Sequence, residues 1–141
     1  MKLQMDIDAL HAFVRREFPQ VDGQLRVENL SKDGLEASLL VNESHLRPGG
    51  TVSGPTMFML ADVTVYLAIL SRIGPVALAV TTNCAMDFMR KPAAGQSLRC
   101  AVRVLKLGRS LAVCDALIFS KGQAAPVARA NMTYAIPPQR D

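Results

Sequence analysis

Tryptophan is absent from this sequence, and 141 residues hold only two tyrosines and five phenylalanines. So few flat rings leave little surface for base stacking, which argues against a nucleic-acid role. Cysteine is scarce and odd in number. Cys84, Cys100 and Cys114 are widely spaced, each inside an apolar stretch, so they read as buried free thiols in a reducing compartment rather than a disulfide frame or zinc site. Histidine is equally thin. His11 sits on or near the apolar stripe of a first helix, where packing explains it, and His45 stands beside no plausible triad. With no Ser-His-Asp pattern, no Gly-Lys phosphate loop and no metal-ligand spacing, no metal or resident cofactor is expected. The start, MKLQMDIDALHAFVRREF, carries acids early and lacks an apolar h-region, so it does not read as a secretory signal. The longest apolar run, 55–70, is shorter than the roughly 20 residues of a membrane span and has Asp62 inside it. No membrane role and a cytoplasmic address are expected.

What is present is a core-forming chain with a lopsided charge. Half of the residues are hydrophobic and a fifth are charged, enough for one globular domain over 1–141. Residues 1–70 carry 6 Lys and Arg against 9 Asp and Glu, while 71–141 carry 10 against 3. A basic second half suits an anionic ligand, although solvated strand faces would produce the same count.

Ile7, Leu10, Val14 and Phe18 recur at helical spacing, which predicts a first helix within 1–20, closed by Pro19. Period-two patterning follows, with Asp33-Gly34 in the bend of a hairpin. Ser53 can cap and Pro55 can open a second helix over 54–73, which Gly74-Pro75 ends. Four more strand-like segments complete the chain. Short connections favour antiparallel pairing, giving an α+β fold with one sheet of five or six strands curling round the long helix. That helix is apolar on all sides and one sheet covers only part of it, so a homo-oligomer is expected.

These segments and their residues resemble the hotdog-fold acyl-CoA thioesterases, in particular the phenylacetate-pathway (PaaI-like) branch, from about Leu25 to Ile136. That family carries H-L-N-P-x-G-T-V-H-G-G followed by F-x-L-A-D. Here the stretch is His45-Leu46-Arg47-Pro48-Gly49-Gly50-Thr51-Val52-Ser53-Gly54-Pro55, then Phe58-Met59-Leu60-Ala61-Asp62. TTNCAMDFMRKP is similar to the family strand that ends in an F-L-R-P turn. KLGRS is similar to its K-x-G-R-S hairpin, which lies near the CoA in relatives, and ARANMTYAI to its closing strand. The family's Asn is Arg47 here, its His is Ser53, and its second Gly is Pro55. The resemblance implies Asp62 as the catalytic carboxylate, the Gly54 N–H as the group that polarises the thioester carbonyl, and Thr81 as a hydroxyl that helps hold water. Ser53 would assist. Arg90, Lys91, Arg109 and Ser110 fall where relatives place CoA, which enters as part of the substrate; ordinary solvated edge charge is the other reading of these cations. Arg47 reaches a carboxylate or CoA phosphate, or is a plain loop arginine. Phe58, with Met57, Met59 and Met86, would accept a medium-chain or aromatic acyl group.

One inference needs no relatives. Asp62 lies eight residues after Gly54 on one helix, about 12 Å along the axis at the α-helical rise. That is too far for both to touch one carbonyl, so joint action requires two subunits. The rivals to a thioesterase are a non-catalytic acyl-CoA-binding module, an acyl-thioester hydratase or dehydratase, which would want a His beside Asp62, and a purely structural oligomer.

Overall fold

Six strands form one curved antiparallel sheet around a long buried helix, in a computed structural model that describes residues 2–138. The chain begins with α1 (Ile7–Glu17), then β1 (Leu25–Leu30), β2 (Gly34–Leu39), α2 (Gly54–Ile73), β3 (Val80–Phe88), β4 (Leu98–Leu107), β5 (Leu111–Ser120) and β6 (Pro126–Ala135). The sheet order is β1-β2-β4-β5-β6-β3, so β1 and β3 are its edges. This is the hotdog arrangement, with six strands.

Asp6 caps α1 by accepting the Ala9 N–H at 2.8 Å, and Asp8 at the start with Arg15 and Arg16 at the end complement the helix dipole. The helix stops short of residue 20. Pro19 pushes Phe18 out of the helical region, to φ −136° and ψ 56°, and a 3-10 turn follows over Pro19–Val21. His11 does more than pack: its Nε2 accepts the Val27 N–H at 3.0 Å and ties α1 to β1.

The hairpin forms as the bend predicts, with Leu30 opposite Leu35 and Leu25 opposite Leu39. Gly34 is required there by close approach, because a Cβ would stand 1.9 Å from the Val102 carbonyl oxygen of β4. Alternation along the strands supplies the inner face: Leu35, Ala37 and Leu39 on β2, Leu98, Cys100 and Val102 on β4, Ala128, Ala130 and Met132 on β6. Small side chains in the middle of this face make room for the branched residues of α2. Cys100 and Cys114 are buried free thiols and Cys84 is half-buried; burial pushes the first two up to about 12.

Of the 20 residues of α2, 14 are buried. By length and composition alone the helix could cross a membrane, but the fold covers it as a core helix. Tyr66 on its second half packs against Phe13 and Phe18, with ring centres 6.1 Å apart in each pair. The first half keeps one open stripe of Pro55, Phe58, Met59 and Asp62, spaced i, i+3, i+4 and i+7. Neighbouring edge strand β3 leaves Val80 and Phe88 exposed.

Candidate active site

Ser53 starts α2 as expected, in extended conformation, with its hydroxyl accepting the Thr56 N–H at 3.3 Å. Its Oγ also lies 2.8 Å from Thr56 Oγ1, so the cap already occupies this hydroxyl. Gly54 is the first helical residue and Pro55 the second. Pro55 has no N–H, Thr56 donates to the cap, and the Met57 N–H goes to the Ser53 carbonyl. Among the described residues nothing accepts the Gly54 N–H, which is therefore the uncommitted donor of the first turn, at the positive end of the helix dipole. His45 supports this start. Its Nδ1 accepts the Asn42 N–H at 3.0 Å, its Nε2 faces Gln24 Oε1 at 3.3 Å, and its carbonyl takes the Ser53 N–H at 2.9 Å.

Gly54 opens on a groove of about 470 Å³ lined by Arg47, Met57, Phe88, Arg90 and Lys91 among others. Five of the residues singled out in the sequence thus share one place, Gly54 and Met57 with three cations. Arg90 Nη1 donates to the Pro126 carbonyl at 2.6 Å, which fixes its direction.

Asp62 is elsewhere, on a separate groove of about 380 Å³ with Glu17, Phe18, Tyr66, Thr81 and Tyr134. Thr81 Oγ1 donates to Asp62 Oδ1 at 2.5 Å. The Tyr134 hydroxyl lies 2.7 Å from the same Oδ1 and 3.0 Å from the Asp62 carbonyl oxygen. Among the described residues nothing donates to Oδ2. The carboxylate is thus held by one oxygen, with the other left to accept or attack. Burial, and next the Asp62 charge, push the Tyr134 phenol well above its ordinary value, so it remains a donor across the working pH range. The same two causes raise the Cys84 thiol.

Tyr134, which is not among the residues singled out in the sequence, joins Asp62 and Thr81 at this candidate site. A tyrosine on the inward phase of a strand, two residues after Met132, needs a buried partner for its hydroxyl. Asp62 was the polar group available.

Arg109 and Ser110 do not join Arg90 and Lys91 within one chain. The Ser110 carbonyl accepts the Ile136 N–H at 2.8 Å, and Leu111 pairs with Ala135, which pairs with Val80. That is the Asp62 end of the sheet. Phe88 and the following Arg90-Lys91 lie at the other end of β3, about 26 Å away at the strand rise. Within one chain, strand register thus separates the two pairs that the resemblance placed near CoA. Phe58 lines neither groove and stands on the open stripe between them, 39% exposed. Among the described residues no group of His, Cys, Asp and Glu has metal-site geometry.

The Thioesterase superfamily model matches residues 49–134. This chain belongs to the Thioesterase superfamily. A crystal structure of a proposed thioesterase from Silicibacter sp. TM1040 is 55% identical, with a TM-score of 0.92, over 98% of this chain and 96% of that one. The phenylacetic acid degradation protein PaaI from Thermus thermophilus, solved as a point mutant, is 28% identical, with a TM-score of 0.72, over 84% and 99%. A proposed esterase of Pseudomonas aeruginosa is 31% identical over 73% of this chain and 75% of its own length. The matched segment holds both Gly54 and Asp62, and the PaaI likeness agrees with the branch that the motif order implied.

Proposed function

We propose that this superfamily member hydrolyses acyl-CoA thioesters to the free acid and CoA thiol, at a site built from two copies of the chain. One copy gives Asp62 with Thr81 and Tyr134, and the other gives the Gly54 N–H with Arg47, Arg90 and Lys91. The observation that carries the reading is the complementary incompleteness of the two grooves. A carboxylate with one free oxygen lies in one, and an unused helix-start N–H beside three cations lies in the other.

Strand geometry supports the pairing. Edge strand β3 has unpaired backbone groups and exposed apolar side chains, and α2 has its open stripe alongside. Antiparallel pairing of two β3 strands would set the Phe88 end of one copy beside the Val80 end of the other. The Gly54 groove would then meet the Asp62 groove, and Arg90 and Lys91 would come to the side of the partner copy that carries Arg109 and Ser110. The two-fold symmetry would create two equal sites.

In the reaction, Asp62 Oδ2 takes a proton from water as the water oxygen bonds to the thioester carbon. The resulting oxyanion is stabilised by the Gly54 N–H, which points along the helix dipole where negative charge develops. When the C–S bond breaks, the thiolate leaves and recovers the proton from Asp62. A direct attack by Oδ2, with water cleaving the anhydride, uses the same free oxygen. Thr81 and Tyr134 hold the carboxylate in either course, and the phosphates of CoA meet the cations.

The test is thiol release from short, medium, long and aromatic acyl-CoAs by wild type beside Asp62→Asn. Turnover in the first and its loss in a folded second supports the reading. Tight binding without thiol release in either makes the protein an acyl-CoA-binding module.

A further inference from the structure

The two grooves differ sharply in charge. Arg47, Arg90 and Lys91 line the Gly54 groove, whereas Glu17 and Asp62 line the other and, among the described residues, no Lys, Arg or His does. The nucleotide end of a CoA ester carries several phosphate charges, so Coulomb repulsion turns it away from the acidic groove and toward the cations. The acyl end is what remains for the Asp62 groove. Its walls suit that end: Phe18, Val63, Tyr66 and Ala79 are apolar or aromatic, and α1 with the turn after it closes one side through Glu17, Phe18 and Gln20.

We propose that Glu17 makes this acyl pocket select against acyl groups that end in a carboxylate and in favour of neutral ones. The inference rests on the thioesterase reading above and names the substrate class within it. An acyl chain that fills the groove from the thioester at Asp62 carries its far end toward Glu17, where a second carboxylate would face an acid. Glu17 stands in the groove lining with Phe18 and Tyr66, and burial first and the Glu17 charge second raise the Tyr66 phenol above its ordinary value. Arg16 offsets this charge only in part. That guanidinium contacts Glu17 at 3.3 Å through a solvent-exposed pair and stands 5.8 Å from the Phe13 ring, outside the groove lining.

The experiment compares three CoA esters of equal carbon count, hexanoyl-, 6-hydroxyhexanoyl- and adipoyl-CoA, on wild type, Glu17→Gln and Glu17→Lys. The readouts are kcat/KM by thiol release and Kd by calorimetry. The hydroxy ester separates the penalty for any polar terminus from the penalty for charge. Because Glu17 is partly exposed, its removal should raise the adipoyl-to-hydroxyhexanoyl ratio by about three- to tenfold. Glu17→Lys should raise it further, and 0.5 M salt should narrow the difference among the three proteins. A ratio that stays within about twofold across the three overturns the proposal. If the esters bind without turnover, the thioesterase reading fails by itself, and the Kd ratios decide the selectivity.

Discussion

The Tyr134 hydroxyl lies 2.7 Å from Asp62 Oδ1, across 72 residues of sequence, and shares that oxygen with Thr81. Two donors on one carboxylate oxygen restrain the group, and Oδ2 of this groove-lining residue has no donor among the described residues. In Tyr134→Phe the carboxylate keeps Thr81 but can rotate. We expect kcat to fall about tenfold with a smaller change in KM, since near-attack geometry is lost more than binding. The fold should lose about 1 kcal/mol, one hydrogen bond. Steady-state kinetics beside thermal melting checks this; an unchanged kcat in the melted-down variant would make Tyr134 a purely structural partner.

Subunit complementation tests the composite site. Asp62→Asn and Gly54→Pro should each be inactive, the second because proline removes the N–H while fitting the start of a helix. Mixed dimers from co-expression would hold one intact pair, Asp62 from one chain with Gly54 from the other. Random mixing should restore about a quarter of wild-type turnover. Activity that stays at zero in verified mixed dimers would place both groups in one chain's site.

Arg72 is 5% exposed and has no carboxylate partner among the described residues. Instead it donates to the carbonyls of Ser31 at 2.7 Å, Lys32 at 3.0 Å and Ala68 at 3.1 Å, clamping the end of α2 to the β1–β2 bend. Arg72→Ala leaves those acceptors dry and opens a cavity. A loss of about 2–4 kcal/mol is expected. For a chain of this size that lowers Tm by roughly 10 °C. Calorimetry measures it, and a shift under two degrees would refute the clamp.

Alkaline pH should weaken the fold through the buried thiols. Cys100 and Cys114 hold their protons up to about 12 when folded, against an ordinary value near 9. Below 9 both states are protonated and this stabilisation is fully present. Between about 9 and 12 the unfolded chain releases protons that the folded chain keeps, so stability falls, by on the order of 1 kcal/mol per pH unit for each thiol. Tm measured across that window should drop less steeply in Cys114→Ala than in wild type. Equal slopes would show that other groups govern the alkaline transition.

Much of the fold was legible before any coordinates. Ser53 and Pro55 start α2 and Gly74-Pro75 stop it, because capping and proline chemistry are local. The inward alternation on β2, β4 and β6 is also local, since the strand period is two. The helix over 1–20 came out shorter because Pro19 acts one residue before itself. The site was legible in its oddities: a carboxylate within an apolar run, and a glycine at a helix start eight residues before it.

Register, by contrast, is decided across strands, and no local pattern carries it. It set Thr81 and Tyr134 side by side under Asp62, and it sent Arg109 and Ser110 to one end of the sheet and Arg90 and Lys91 to the other. It also left Oδ1 bound and Oδ2 free. The sequence by itself determined which elements form and that one acid sits among apolar neighbours, because both follow from side-chain chemistry within a few residues. Tertiary structure alone decided which hydroxyls hold that acid and which cations share a groove, because those contacts join residues that only packing brings together.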